Sequence, residues 1–133
     1  MLKHLSLALA IAVHALPGLA QDAVKDRVVA ALGTGNSKEL AQHFIPNIDL
    51  TVGGSSDVYS KAQAEQILRR FFDENPPVGM VVEHQGQSKL GDQYYIGILR
   101  TRTGHFRVTF FLKRTNDLLQ VKQLRIEAGR SDH

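Results

Sequence analysis

The chain predicts an α+β domain in which N-terminal helices and one long helix pack on a curved antiparallel sheet. Three observations carry that prediction. Apolar residues recur at helical spacing through the first half and at strand spacing through the second. The candidate strands of the second half are separated by turns too short for parallel crossovers. The 133 residues leave room for one domain.

The first twenty residues read as an export leader. Lys3 precedes the apolar run Leu5 to Leu16, and Pro17 and the small residues of Gly18-Leu19-Ala20 follow before Gln21. The run is apolar on every face, unlike an amphipathic first helix. It is also shorter than the roughly 20 residues that span a bilayer. Cleavage after Ala20 would leave Gln21 to His133 as a single mature domain, exported to the periplasm or secreted, with no membrane anchor.

Val24, Val28, Ala31 and Leu32 then share one helical face, ended by Gly33 and Gly35. Asn36, with Glu39 three residues on, opens a short second helix as a capping box, and Pro46 is expected to stop it. Ile48, Leu50 and Val52 alternate with polar residues as a strand, and a second short strand is possible at Val58-Tyr59. Ser60 with Gln63 caps the long helix, whose apolar stripe is Ala64, Ile67, Leu68, Phe71 and Phe72. Asn75-Pro76-Pro77 ends it. Four strands follow: Val78 to Gln85, Gln93 to Thr103, Phe106 to Lys113, and Leu119 to Ile126. Residues 129–133 read as a frayed tail.

The segments VYSKAQAEQILRRFFDENPP (58–77), GDQYYIGIL (91–99), FRVTFFLKR (106–114) and QLRIE (123–127) together resemble an exported bacterial domain-of-unknown-function family, number 4783. The order of elements resembles the wider nuclear-transport-factor-2-like superfamily, the cystatin-like α+β cone. The likeness spans roughly Val24 to Glu127. It implies the cone fold. It carries no functional residues, since the narrower family has no assigned activity and the superfamily contains isomerases, dehydratases, transport factors and dimerisation modules.

The composition narrows the chemistry. With no cysteine there are no disulfides, thiolates or cysteine-ligated metals. The histidines His43, His84, His105 and His133 lack metal-ligand spacing, and no glycine-rich phosphate loop occurs, so neither metal nor cofactor is expected. No coherent acid–base set emerges. Glu83 and His84 are the nearest to one, but as strand neighbours they point to opposite faces, with His84 expected beside Met80 and Val82.

Residues 21–77 carry a net charge of −2 and residues 78–133 one of +4. The basic half lacks the lysine-rich stripe or motif of a nucleic-acid binder. By alternation, Ile96, Ile98 and Phe111 share a sheet face with Arg100, Arg102 and Arg107, the mixture expected of a contact surface. The reading is therefore a small exported binding or interaction domain without catalysis. It pairs with a second copy through the sheet face, and its partner is otherwise a small apolar ligand or an envelope protein. Phe71, Phe72 and Tyr95 are the candidate pocket residues, Arg100, Arg102, Arg107, Ile96, Ile98 and Phe111 the contact face. The alternatives are a dehydratase or isomerase acting on a small apolar substrate through His84 or Glu83, and a structural subunit of an envelope assembly.

Overall fold

A computed structural model describes residues 17–129. Nine elements follow in order: α1 (Pro17–Thr34), α2 (Ser37–Gln42), β1 (Phe44–Val52), β2 (Ser55–Ser60), α3 (Lys61–Glu74), β3 (Pro77–Gln87), β4 (Gln93–Thr101), β5 (Gly104–Thr115) and β6 (Leu118–Ala128). Most of the expected export leader, residues 1–16, lies outside the described residues, as do residues 130–133 of the expected tail. Among the described residues α1 runs from Pro17 to Thr34. The expected cleavage point thus falls within α1. None of the described helices is long and apolar enough to cross a membrane.

The six strands form one sheet in the order β2-β1-β6-β5-β4-β3. The C-terminal four make the antiparallel meander that their short turns require. Asn116 and Asp117, both at positive φ, form the two-residue turn between β5 and β6, a conformation that Asn and Asp tolerate better than other side chains. Alternation could not reveal that β1 joins this meander parallel to β6, with Leu50 beside Leu124 and Val52 beside Ile126. After β1 the chain passes through β2 and α3 before entering β3 at the far edge, which leaves β6 free to return beside β1.

Pro46 does not stop α2. That helix ends at Gln42, with His43 as its C-cap, and Pro46 lies within β1. The β1–β6 pairing is irregular between Phe44 and Asp49, which accommodates a residue with no N–H to give. The cap of α2 is one-sided: Asn36 Oδ1 accepts from the Glu39 N–H at 3.0 Å, while the Glu39 carboxylate faces His43 Nε2 at 3.5 Å. The box on α3 is complete. Ser60 Oγ accepts from the Gln63 N–H at 3.2 Å, and Gln63 Oε1 accepts from the Ser60 N–H at 3.1 Å.

All helices lie on one face of the sheet, α1 mainly over β3 and α3 over β1 and β2. Between helices and sheet sits a filled core. Phe71 meets Phe106 edge to face at 4.9 Å, and Tyr95 stacks on Phe110 at 5.0 Å. Leu68, Phe44, Leu50, Leu99 and Leu124 are fully buried among them. The cone is packed by its own side chains. At the β2 edge of the sheet the Val58 N–H donates to the Asp57 side chain at 2.7 Å, and the Ser60 N–H is held by Gln63.

Candidate functional site

The sheet surface away from the helices is open, and register decides what stands on it. Tyr94 lies opposite Phe111, Ile96 opposite Thr109, and Ile98 opposite Arg107. On the other side of β4, Val81 pairs with Ile98 and His84 with Ile96. On β6, Arg125 faces Thr109, and Glu127 faces Arg107. The centre of this face is an apolar strip running Val81, Ile98, Ile96, Phe111 and Tyr94. Ile96, Ile98 and Phe111 are half-buried, while Val81 and the neighbouring Val78 are 57% and 67% exposed.

Aromatic contacts stiffen one end of the strip. The Tyr94 and Phe111 rings are 5.7 Å apart, and Lys122 Nζ sits 5.9 Å from the Phe111 centroid. Gly86 is the residue that lets Tyr94 lie flat across β3, because a Cβ there would come within 2.7 Å of the ring. Lys122 also pairs with Asp92, and Arg125 with Glu127 at 3.3 Å. Arg100 and Arg107 are exposed and, among the described residues, have no ion-pair partner. Two shallow clefts, of about 360 and 470 Å³, adjoin the strip, and Ile98 and His105 line both.

Two expected positions are corrected here. His84 does not share a face with Met80 and Val82. The β3–β4 register shifts between Val82 and His84, so Glu83 is an extra residue and His84 emerges opposite Ile96 on the open face. Nor do Glu83 and His84 stand on opposite faces as expected: the bulge breaks the alternation, and both line the smaller of the two clefts, with His105, Arg107 and Glu127. Arg102 is not on the contact face: β4 ends at Thr101, and Arg102 belongs to the turn before Gly104, its N–H donating to Pro76 O at 2.9 Å. That turn is locked by Thr101 Oγ1, which donates to Gly104 O at 2.8 Å, and by Thr103 Oγ1, which donates to Asn75 Oδ1 at 2.5 Å.

The three aromatic residues expected around a pocket separate. Phe72 and Tyr95, 5% and 3% exposed, are core residues. Burial, then the Asp22 carboxylate, pushes the Tyr95 phenol above its ordinary value, against the opposing pull of Lys25. Phe71 alone reaches a cleft, about 370 Å³ in volume, between α3 and the β1–β2 hairpin. Its floor is Leu50, Val52, Ile67 and Phe71, with Tyr59 on one wall, and Arg70 and Glu74 stand at its rim. No signal in the sequence marked Leu50, Val52 or Tyr59 as its neighbours, because they come from a hairpin whose placement depends on the parallel pairing. Among the described residues no three His, Asp or Glu side chains gather as a metal site.

The family profile described as Domain of unknown function (DUF4783) matches residues 25–127. This chain belongs to the DUF4783 family. It is 31% identical to a DUF4783 protein from Bacteroides fragilis YCH46, covering 77% of this chain and 96% of that one at a TM-score of 0.72. A second DUF4783 protein, from Bacteroides ovatus ATCC 8483, is also 31% identical, covering 79% and 94% at a TM-score of 0.73. The cone fold extends beyond the family: a designed NTF2 protein with a long sheet is 19% identical, covers 79% and 97%, and has a TM-score of 0.61. No curated protein matches this chain.

Proposed function

We propose that this DUF4783 chain is an exported interaction module that pairs with a second copy of itself through the open face of the sheet. The observation that carries the reading is the apolar strip Val81–Ile98–Ile96–Phe111–Tyr94. An antiparallel sheet with one wetted face ordinarily keeps that face polar. Here apolar side chains on three neighbouring strands are continuous, and arginine and tyrosine, both enriched at interfaces, surround them.

The rim favours a second copy as the occupant. Arg107 and Glu83 line the same cleft beside the strip, and a two-fold axis that brings the Arg107 of one protomer to the Glu83 of the other would form that pair twice. Strands β3 to β6 offer a surface of roughly 19 by 37 Å, from ordinary strand spacing and rise. That approaches the ~800 Å² per partner of a standard interface. The leader expected at residues 1–20 makes the periplasm or the cell exterior the setting. Glu83 and His84 stand beside an open cleft rather than inside a closed apolar chamber, so the interaction reading is better supported than a dehydratase or isomerase.

The test is light scattering and sedimentation of the purified chain across micromolar concentrations. A dimer is expected, with Ile98→Arg giving a monomer of unchanged far-ultraviolet circular dichroism, because the new charge faces Arg107 across the strand pair. A wild-type chain that stays monomeric at ~100 μM, where even weak specific pairs associate, refutes the reading.

A further inference from the structure

The groove between α3 and the β1–β2 hairpin lies on the helix side of the sheet, away from the proposed contact face. Its volume, about 370 Å³, is at the small end of ligand pockets. Leu50, Val52, Ile67 and Phe71 make an apolar floor, and Phe71 is held rigid by edge-to-face contact with Phe72 and Phe106. At the rim stand one cation and one anion, Arg70 and Glu74, one helical turn apart on α3. Helix geometry would allow these two to pair, yet among the described residues neither lies within 4 Å of an opposite charge. Both heads remain available to solvent or to a ligand.

An apolar slot with a separated plus and minus at its mouth is complementary to a molecule with an apolar body and adjoining charges of both signs. We infer that the groove binds a free α-amino acid with an apolar side chain of leucine or phenylalanine size. The carboxylate meets the Arg70 guanidinium, a planar fork suited to a carboxylate. The ammonium meets Glu74, and the side chain lies on Ile67, Phe71 and Val52. A simple fatty or aryl carboxylate satisfies Arg70 but brings a like charge towards Glu74; an amine does the reverse. The zwitterion alone satisfies both.

The energetics make this a weak site. One leucine-sized side chain and two exposed ion pairs support a Kd in the millimolar range, about 0.2 mM at the tightest, suited to sensing or buffering a concentrated solute rather than scavenging a trace one.

The experiment is a titration of the ¹⁵N-labelled chain, as the expressing cell delivers it, with L-leucine, L-phenylalanine, 4-methylpentanoate and isopentylamine, followed by amide chemical shifts. Saturable shifts confined to α3, β1 and β2 are expected for the two amino acids. The carboxylate-only and amine-only analogues should bind at least ~3-fold more weakly, the factor one exposed ion pair supplies. Arg70→Gln and Glu74→Gln should each weaken L-leucine by a similar factor. Both residues are exposed, so their replacement leaves the core intact, and matching thermal unfolding curves verify it. No shift in these elements up to ~20 mM ligand, well above the expected Kd, overturns the proposal. Equal binding of 4-methylpentanoate or isopentylamine overturns it too. Since none of these residues lies on the open sheet face, neither failure bears on self-association.

Discussion

Gly97 offers the sharpest test of the β3–β4 packing. It is buried on β4 between Ile96 and Ile98, facing the helices. A Cβ built there would overlap the Val81 carbonyl oxygen and approach Val82 Cα and Met80 Cε at 2.9 Å each. The methionine end could swing aside, but the other two atoms are backbone of β3. Gly97→Ala therefore requires β3 to move, at the point where its register shifts around Glu83. Overpacking that forces a backbone shift costs about 1–3 kcal/mol. With the main chain as the obstacle the upper half applies, about 2–3 kcal/mol. For a domain of this size that lowers Tm by roughly 10 °C. Gly79→Ala is the control, because a Cβ at Gly79 meets nothing within 4 Å. Its effect should stay within about 0.5 kcal/mol, or be slightly stabilising through the unfolded chain. Thermal and urea unfolding of the two variants, followed by circular dichroism, gives both numbers. A Gly97→Ala variant that melts within ~2 °C of the parent would show that β3 does not press on β4 as described.

Three further outcomes are expected. Ser60→Ala removes the acceptor for the Gln63 N–H and should cost about 1 kcal/mol, read as a lower urea midpoint at unchanged slope. Leu68→Ala opens a hole beneath α3 at a fully buried position and should cost about 2–5 kcal/mol, read the same way. Tyr95 should make the fold sensitive to alkali. Below pH 10 its phenol is neutral in both states; above it the unfolded chain ionises while the buried phenol holds its proton. Stability should fall as pH climbs past 10 towards the raised native value, and Tyr95→Phe should lose that part of the fall in a pH series of urea midpoints.

Much of this architecture is legible in the sequence because the signals are local. Period-two alternation marked the four C-terminal strands to within a few residues, and the Ser60–Gln63 pair marked the start of α3. The inward row Val108, Phe110 and Leu112 and the outward Ile96, Ile98 and Phe111 follow from parity alone. What failed depended on breaks in parity or on long-range pairing. The extra residue at Glu83 turned His84 to the other face, and nothing in Val82-Glu83-His84 distinguishes a bulge from a regular strand. Arg102 was misplaced because Gly104, at φ +148°, starts the next strand rather than standing inside the turn. The groove escaped notice for a different reason. Its walls come from α3 and from a hairpin placed by the β1–β6 pairing, and one-dimensional periodicity carries no information about which distant strands adjoin.

The occupied N–H groups on β2 bear on how such a molecule can assemble. Sheets that grow by adding strands at their margins have no natural stopping number, and the product is a fibre. On β2 the Asp57 carboxylate and the Gln63 amide already hold the Val58 and Ser60 hydrogens that an arriving strand would use, and Asp57 adds a charge that resists it. Growth at that margin is disfavoured. Back-to-back contact of two sheet faces, by contrast, consumes its own surface and ends at two. The same few side chains that cap a helix and a strand thus weigh against endless growth at this margin.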